Sequence, residues 1–98
     1  MNIAGFDWDA GNWPKCAKHG VSKDEIEYAL SNAPLVLRDR HPFEQEPRFD
    51  AVGKNTENRY IFVVFTWREK QGHRLIRPIS ARYMHRKEIE NYEKQKGT

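Results

Sequence analysis

The sequence predicts a single α+β domain, in which a short N-terminal strand and two helices pack on a four-stranded antiparallel sheet, with a C-terminal helix. Helix-start and helix-stop residues are concentrated in residues 12–34, whereas residues 35–82 contain four stretches of strand composition separated by turns. The length of 98 residues allows one hydrophobic core, because a chain of this size buries roughly 60–70% of its unfolded surface.

The N-terminal segment combines a strand pattern with a helix pattern. Apolar and polar residues alternate from Phe6 to Trp8, which is typical of a short strand. We expect a short helix next, through about Lys18, with Asp9 or Asn12 as its cap. Pro14 fits only in the first turn of a helix, and this favours a start near Asn12.

The second helix has the strongest start signal in the chain. Ser22 and Glu25 have the spacing of a capping box, in which each side chain accepts a hydrogen bond from the backbone of the other. Gly20, just before it, is a stop signal for the first helix. The apolar residues of the second helix share one face, which predicts packing on a flat surface: Ile26, Ala29 and Leu30.

Four strands and a final helix account for the rest of the chain. The predicted strands are Leu35–Arg38, Arg48–Gly53, Arg59–Arg68 and Arg74–Arg82, and the predicted helix is Met84–Gln95. Residues 39–47 are rich in turn residues, residues 54–58 read as a hairpin loop, and residues 69–72 read as a second turn. These short connections predict an antiparallel meander.

Two of the strands have patterns that constrain their place in the sheet. Residues 60–67 are apolar on both faces, so this strand should be central and covered on both faces, or covered on one face and joined to a partner on the other. Pro78 has no backbone N–H to donate, so the last strand must lie at an edge or contain a bulge at this position.

The charge is distributed unevenly along the chain. Residues 1–53 contain six Lys or Arg and nine Asp or Glu, a net of −3, whereas residues 54–98 contain eleven and five, a net of +6. Seven of the basic residues lie between Arg68 and Lys87, with Glu69 as the only acid there. Such a basic region indicates a surface for a polyanion, with a phosphate backbone as the first candidate.

The cysteine count and the hydropathy pattern bear on the compartment. Cys16 is the only cysteine, so no internal disulfide can form, and a reducing compartment is the simplest setting. No apolar run approaches the ~18 residues of a membrane span, and the N-terminus lacks a signal-peptide pattern. We therefore expect a soluble, cytoplasmic protein without a membrane partner.

The sequence contains no motif for a metal or a nucleotide cofactor. The histidines lie in four separate segments, without cysteine or carboxylate at ligand spacing: His19, His41, His73 and His85. A P-loop, a dinucleotide glycine signature and a nucleophile elbow are also missing from the sequence. We therefore expect no cofactor, and arginines, aromatic residues and histidines remain for chemistry.

The last two strands place three arginines where they could act together. Arg68 and Arg82 each end a strand of the same hairpin, and Arg77 lies within the second of these strands. If their faces coincide, the guanidiniums surround one spot, where they could bind phosphate and stabilise the charge of a transition state. A surface salt-bridge network with nearby glutamates is the alternative.

His19 is the first candidate proton carrier and His85 the other, because histidine can act as general base or general acid near neutral pH. The position of His19 after a helix suits a helix-end cation equally well. Contacts to the substrate are expected from Lys18, Arg74, Tyr83, His85, Arg86 and Tyr92. Packing or surface roles are the alternatives for these six residues.

An ordered set of short motifs extends over about residues 6–93. It comprises Phe6-Asp7-Trp8-Asp9, Lys18-His19-Gly20-Val21-Ser22 with Glu25, Asp39 and His41 before Glu46 and Arg48, Gly53, Val63-Val64 with Thr66 and Arg68, Arg77 with Ile79-Ser80-Ala81-Arg82, and Glu88 with Tyr92. This set resembles the BrnT toxins, which are the toxin halves of bacterial type II toxin–antitoxin pairs. The resemblance implies a fold like that of the RelE-type ribonucleases.

The resemblance also implies a function and partners. These would be RNA cleavage that arrests translation, and neutralisation by a BrnA-like antitoxin with a ribbon-helix-helix domain. DNA would be contacted only through the antitoxin, and a homodimer within the toxin–antitoxin complex is compatible with this arrangement. Arg68, Arg77 and Arg82 match arginines of the family, and Lys18 and His19 match its Lys-His pair.

Three functional hypotheses follow from the sequence. The first is a metal-independent endoribonuclease toxin. The second is a non-catalytic basic module that binds an antitoxin or a nucleic acid, and the third is a structural subunit that needs a partner to cover the strand at residues 60–67. In the first hypothesis the sequence leaves open which residue is the general acid and which the general base.

Overall fold

The computed structural model describes residues 4–32, 34–38 and 47–96, which form an α+β fold with a five-stranded mixed sheet. In chain order the elements are β1 (Gly5–Phe6), a 3₁₀ helix (Lys15–His19), α1 (Lys23–Ser31), β2 (Leu35–Arg38), β3 (Phe49–Lys54), β4 (Tyr60–Lys70), β5 (His73–Tyr83) and α2 (Arg86–Lys96). The order across the sheet is β1-β5-β4-β3-β2. The motif positions Asp39, His41 and Glu46 lie outside the described residues, as does most of the turn-rich segment predicted at residues 39–47.

The sheet has one strand more than the sequence predicted. β2 to β5 form the expected antiparallel meander. β1, however, pairs parallel with β5, with Gly5 opposite Leu75 and Phe6 opposite Ile76. The prediction of a four-stranded antiparallel sheet was therefore wrong in strand number and in strand direction. A strand of two residues is too short for its own pattern to indicate a partner.

The first predicted helix is a 3₁₀ helix that begins after Pro14, and the predicted cap near Asn12 was wrong. The Asn12 side chain is only 3% exposed, and its hydrogen-bonding groups are committed elsewhere. Its Nδ2 donates to the carbonyl oxygens of Asp7 and Pro78, both at 2.9 Å, and its Oδ1 accepts from the Asp9 N–H. Asn12 therefore ties the N-terminal segment to β5.

The second predicted helix is confirmed as α1. Ser22 Oγ accepts from the Glu25 N–H at 3.1 Å, and Glu25 Oε1 accepts from the Ser22 N–H at 3.0 Å, which completes the capping box. Gly20 has a φ of 87°, the left-handed conformation that the helix-stop prediction required. Ile26, Ala29 and Leu30 are buried as predicted.

β4 is the central strand, and one of its faces forms the core. Ile61, Val63 and Phe65 are fully buried, in one cluster with the buried residues of α1. On the other face Phe62 and Val64 are only partly buried. Within this chain the first face is therefore fully covered and the second only partly covered, so coverage of both faces by the chain itself was wrong, and a partner on the second face stays a prediction.

The proline in β5 occurs at the bulge that the sequence allowed. Val64 lies opposite Ser80 and Phe65 opposite Pro78, so Ile79 has no partner of its own in the register. Five positions separate Arg77 from Arg82, and in a regular strand they would face opposite sides. The extra residue of the bulge restores the alternation, so that both arginines lie on the face of Phe62.

α2 contacts the sheet through a few specific side chains. The Tyr92 ring meets the Tyr60 ring edge-on with centroids 5.5 Å apart, and the Tyr60 hydroxyl donates to Glu93 at 3.3 Å. Arg86 and Glu90, which have i, i+4 spacing on this helix, form an ion pair at 3.3 Å. Among the described helices, none has the length and the apolar character needed to cross a membrane.

Candidate active-site cleft

A cleft of about 350 Å³ opens beside the C-terminal end of β5. Four consecutive residues line it as the chain leaves the sheet, and one residue from each of two other segments completes it: Arg82, Tyr83, Met84, His85, His19 and Arg59. His19 ends the 3₁₀ helix, and Arg59 immediately precedes β4. The cleft therefore combines imidazole and guanidinium groups with a tyrosine.

Four of the residues predicted for a functional site meet in this cleft, namely His19, Arg82, Tyr83 and His85. They come together because β4 and β5 are antiparallel, so that Tyr83 lies opposite Ile61 near the start of β4. Arg59 was not among the predicted site residues. The antiparallel pairing of the β4–β5 hairpin could have indicated this residue, because the residue just before β4 must lie near the end of β5.

Arg82 is held in place by the first turn of α2. Its Nη1 and Nη2 donate to the two carboxylate oxygens of Glu88 at 2.7 and 2.9 Å, and its guanidinium lies over the Phe62 ring. These bonds, and one from the His85 N–H, lower the pKa of Glu88 to about 2. Since a guanidinium has five N–H donors, about three remain for another ligand.

A hydrogen-bonded network holds Tyr83, which lines the cleft, against α1. The Tyr83 hydroxyl donates to Glu25 at 2.7 Å, and Asn55 Nδ2 donates to the same carboxylate at 2.9 Å. Burial raises the pKa of Glu25, but the bonds from Asn55, the Ser22 N–H and Tyr83 outweigh it and bring the pKa to about 2. The bond to Glu25 raises the pKa of Tyr83, which makes its hydroxyl a poor general base.

Arg77 lies on the same face as Arg82 but has a different environment. It forms a bidentate pair with Asp9, both distances being 3.0 Å, and its Nη1 also donates to Asp7 at 3.1 Å. Lys70 donates to Asp7 at 2.7 Å. This network joins the N-terminal segment to the last hairpin, and the bonds to the Asp9 carboxylate raise the pKa of Arg77.

The three predicted clamp arginines share a face, yet they lie in a row along the sheet. Arg82 is opposite Phe62, Arg77 is opposite Thr66, and Arg68 is itself on β4. At ~3.3 Å per residue, Arg77 is about 13 Å and Arg68 about 20 Å from Arg82 along the strand. The structure therefore does not gather these three side chains around one phosphate.

The other predicted contact residues are spread over the surface. Arg74 lies opposite Glu69 and its guanidinium stacks on Trp67, which places it on the core side of the sheet. Lys18 is exposed on the 3₁₀ helix, outside the lining of the cleft. Arg86 is 94% exposed. Tyr92 lines a second depression near the start of β4.

The described part of the chain contains no group of three or more His, Cys, Asp or Glu residues placed to hold a metal ion. Cys16, the only cysteine, is buried, and this burial raises the pKa of its thiol. The polar side chains that line the cleft are two imidazoles, two guanidiniums and the Tyr83 hydroxyl.

The fold and the cleft define a class of protein: a small, basic α+β domain whose sheet ends in side chains suited to phosphate binding and proton transfer. The chain belongs to the BrnT family, because the family model described as "Ribonuclease toxin, BrnT, of type II toxin-antitoxin system" matches residues 8–88. No curated protein matches the chain.

The family match confirms the resemblance found in the sequence and indicates the function at the level of the family. It indicates a ribonuclease toxin of a type II toxin–antitoxin system, with RNA as its target and an antitoxin as its partner. The matched segment includes every residue that lines the cleft, from His19 to His85.

Proposed function

We propose that this toxin is a metal-independent endoribonuclease that cleaves RNA in the cleft beside β5. The observation that carries the proposal is that His19, from the 3₁₀ helix, and Arg82 and His85, from the end of β5 and the residues after it, line one cleft. RNA cleavage without a metal requires a base, an acid and a positive charge. Imidazoles can supply the first two, and guanidiniums supply the third.

The proposed reaction is a transfer within the RNA itself. One imidazole removes the proton of a ribose 2′-hydroxyl, and the 2′ oxygen attacks the adjacent phosphorus. The bond from phosphorus to the 5′ oxygen breaks, and the second imidazole gives its proton to that oxygen. The products are a 2′,3′-cyclic phosphate and a free 5′-hydroxyl, and guanidinium groups stabilise the charged transition state.

The bidentate pair with Glu88 gives Arg82 a fixed orientation for this role. Glu88 binds one N–H on each terminal nitrogen, and the remaining donors are available to phosphate oxygens. Arg77, Arg68, Lys18 and the exposed basic residues of α2 are proposed to act at a distance from the reacting phosphate, on flanking parts of the RNA or in holding the fold.

Cleavage of single-stranded RNA in EDTA by the purified protein tests the proposal. His19→Ala and His85→Ala should each reduce the rate by about 10²–10⁴, the range typical of a lost general acid or base. Arg82→Ala should reduce it by about 10²–10³. Lys54→Ala removes a cation from the Tyr60 ring outside the cleft and is the matched control.

The outcomes separate the proposal from its alternative. If the protein binds RNA but does not cut it, and no 2′,3′-cyclic product forms, the result supports the non-catalytic binding module. Equal cleavage rates in His19→Ala, Arg82→Ala and Lys54→Ala would mean that the active site lies elsewhere.

In the cell, we propose that this activity arrests translation in the cytoplasm and that a BrnA-like ribbon-helix-helix antitoxin neutralises it. The family match supports an antitoxin partner. Inducible expression should stop growth and protein synthesis, and co-expression of the protein encoded next to the toxin gene should restore both. This part of the proposal is wrong if the purified protein cleaves RNA but its expression in the cell does not reduce protein synthesis.

A further inference from the structure

Arg59 is the charged cleft residue that the motifs of the sequence did not identify. The central carbon of its guanidinium lies 3.6 Å from the centroid of the Tyr83 ring, which is a stacked contact. A guanidinium stacked on a ring uses one of its planar faces, so the N–H groups in its plane remain directed outward. Arg59 thus presents hydrogen-bond donors to the cleft from a fixed position.

The backbone of Arg59 is anchored as firmly as its side chain. Its N–H donates to Asn55 Oδ1 at 2.9 Å, and its carbonyl accepts from the Asn55 N–H at 3.0 Å. Asn55 is only 8% exposed, and its Nδ2 donates to Glu25, which also binds the Tyr83 hydroxyl. Asn55, Glu25 and Tyr83 therefore connect the backbone of Arg59 with its guanidinium in one closed network.

The charge of Arg59 differs from that of the other arginines on this side of the protein. Arg82 is paired with Glu88, and Arg77 is paired with Asp7 and Asp9. Within residues 4–32, 34–38 and 47–96, no carboxylate forms an ion pair with Arg59. Its side chain is positioned by the Tyr83 ring and not by bonds to a carboxylate, so its N–H donors are available to a ligand, and this combination favours binding of an anion.

We infer that Arg59 is a phosphate-binding residue of the cleft, which contacts the RNA backbone directly. Asn55, Glu25 and Tyr83 are positioning residues that act through it. This inference rests on the proposed function, because it takes the cleft as the place where RNA binds. It predicts a contribution to RNA affinity that does not depend on the base sequence.

The test measures binding of a fluorescent 2′-O-methyl oligouridylate 12-mer over a series of salt concentrations. The methyl group blocks the 2′ oxygen, so the probe is not cut and all variants can be compared. Arg59→Ala should weaken binding about 10-fold and reduce the slope of log affinity against log salt by about one. Lys54→Ala, also a cation on a tyrosine ring, should keep the wild-type slope.

Two further variants separate the charge from its positioning. Arg59→Lys should restore the salt slope and only part of the affinity, because an ammonium group cannot bind phosphate in bidentate fashion. Tyr83→Leu should weaken binding about 5-fold in the wild-type background and less than 2-fold in the Arg59→Ala background, since Tyr83 acts through Arg59. Thermal unfolding checks that each variant is folded.

The result that overturns the inference is a folded Arg59→Ala variant with the affinity and salt slope of Lys54→Ala. If such a variant also cleaves RNA at the wild-type rate, the proposed function stands and only the role of Arg59 is wrong. If the wild-type protein does not cleave RNA at all, the proposed function fails. The binding data then still decide whether Arg59 contacts phosphate.

Discussion

At the scale of single residues, the arginines differ in their partners more than in their charge. Arg77 is surrounded by two carboxylates, Arg82 has one carboxylate, and Arg59 and Arg74 lie on aromatic rings. Each carboxylate occupies N–H donors of the guanidinium, so Arg77 has fewer donors left for phosphate than Arg82, and a guanidinium on a ring keeps all five. The partner therefore determines which arginine can act on RNA.

Glu25 should make the stability of the protein depend on pH in the acid range. Its pKa is about 2 in the folded protein, against an ordinary value of 4.5, so its stabilising contribution is complete above pH 4.5 and is lost as the pH falls toward 2. Glu25→Gln removes this titration. We expect the variant to be less stable than the wild type by roughly 1–3 kcal/mol near pH 6.

Urea unfolding between pH 2 and pH 6 measures this difference. The gap between wild type and Glu25→Gln should narrow as the pH falls. Tyr83→Phe, which removes only one of the hydrogen bonds to Glu25, should show an intermediate pH dependence. Parallel stability curves for wild type and Glu25→Gln would show that the carboxylate is not stabilised by its network.

At the scale of secondary-structure elements, two features position the site: a bulge in β5 and a close contact between α1 and β3. The bulge at Ile79 changes the alternation of β5, so that Arg77 and Arg82 lie on one face. The close contact of α1 with β3 brings Glu25 near Asn55 and Tyr83. The sequence indicated a bulge or an edge through Pro78, but the choice between them depends on β1, which pairs with β5 on its outer side.

Gly53→Ala tests the contact between α1 and β3. A Cβ at Gly53 would lie 2.7 Å from the Ala29 carbonyl oxygen and 3.0 Å from its Cβ, so the helix must move away. We expect a loss of about 1–3 kcal/mol in the free energy of unfolding, as for other overpacked cores. The neighbouring Lys54→Ala, an exposed position, should cost at most ~1 kcal/mol.

Urea denaturation of the two variants gives the comparison. A Gly53→Ala protein with wild-type stability would mean that α1 can shift on the sheet without loss. In that event the network of Glu25 with Asn55 and Tyr83 would not be held by the packing of the helix, and the positioning of Arg59 would need another explanation.

At the scale of the whole molecule, the basic residues form a row rather than a cluster. The cleft with Arg59 and Arg82 lies at one end of the β4–β5 hairpin, and Arg68 lies toward the turn at the other end. The ~20 Å between Arg82 and Arg68 along the strand corresponds to about six nucleotides of a stacked strand. A bound RNA would have to lie along the sheet to meet both.

The length of the RNA should therefore determine whether Arg68 matters. Arg68→Ala should weaken the binding of a 12-nucleotide 2′-O-methyl RNA about 3-fold to 10-fold and leave the binding of a trinucleotide unchanged. Arg82→Ala should weaken both, because its side chain is at the cleft. A loss of trinucleotide binding in Arg68→Ala would place the short RNA at the hairpin turn and would contradict a binding site centred on the cleft.

The sequence by itself determined the local and consecutive features of this protein. The capping box of α1, the stop at Gly20, the antiparallel order of β2 to β5 and the family all follow from residues close to one another or from their order along the chain. Only the tertiary structure decided the parallel pairing of β1, the carboxylate partners of Arg77 and the place of Arg59 in the cleft. These depend on contacts between distant segments, such as the 68 positions between Asp9 and Arg77, over which local patterns carry no information.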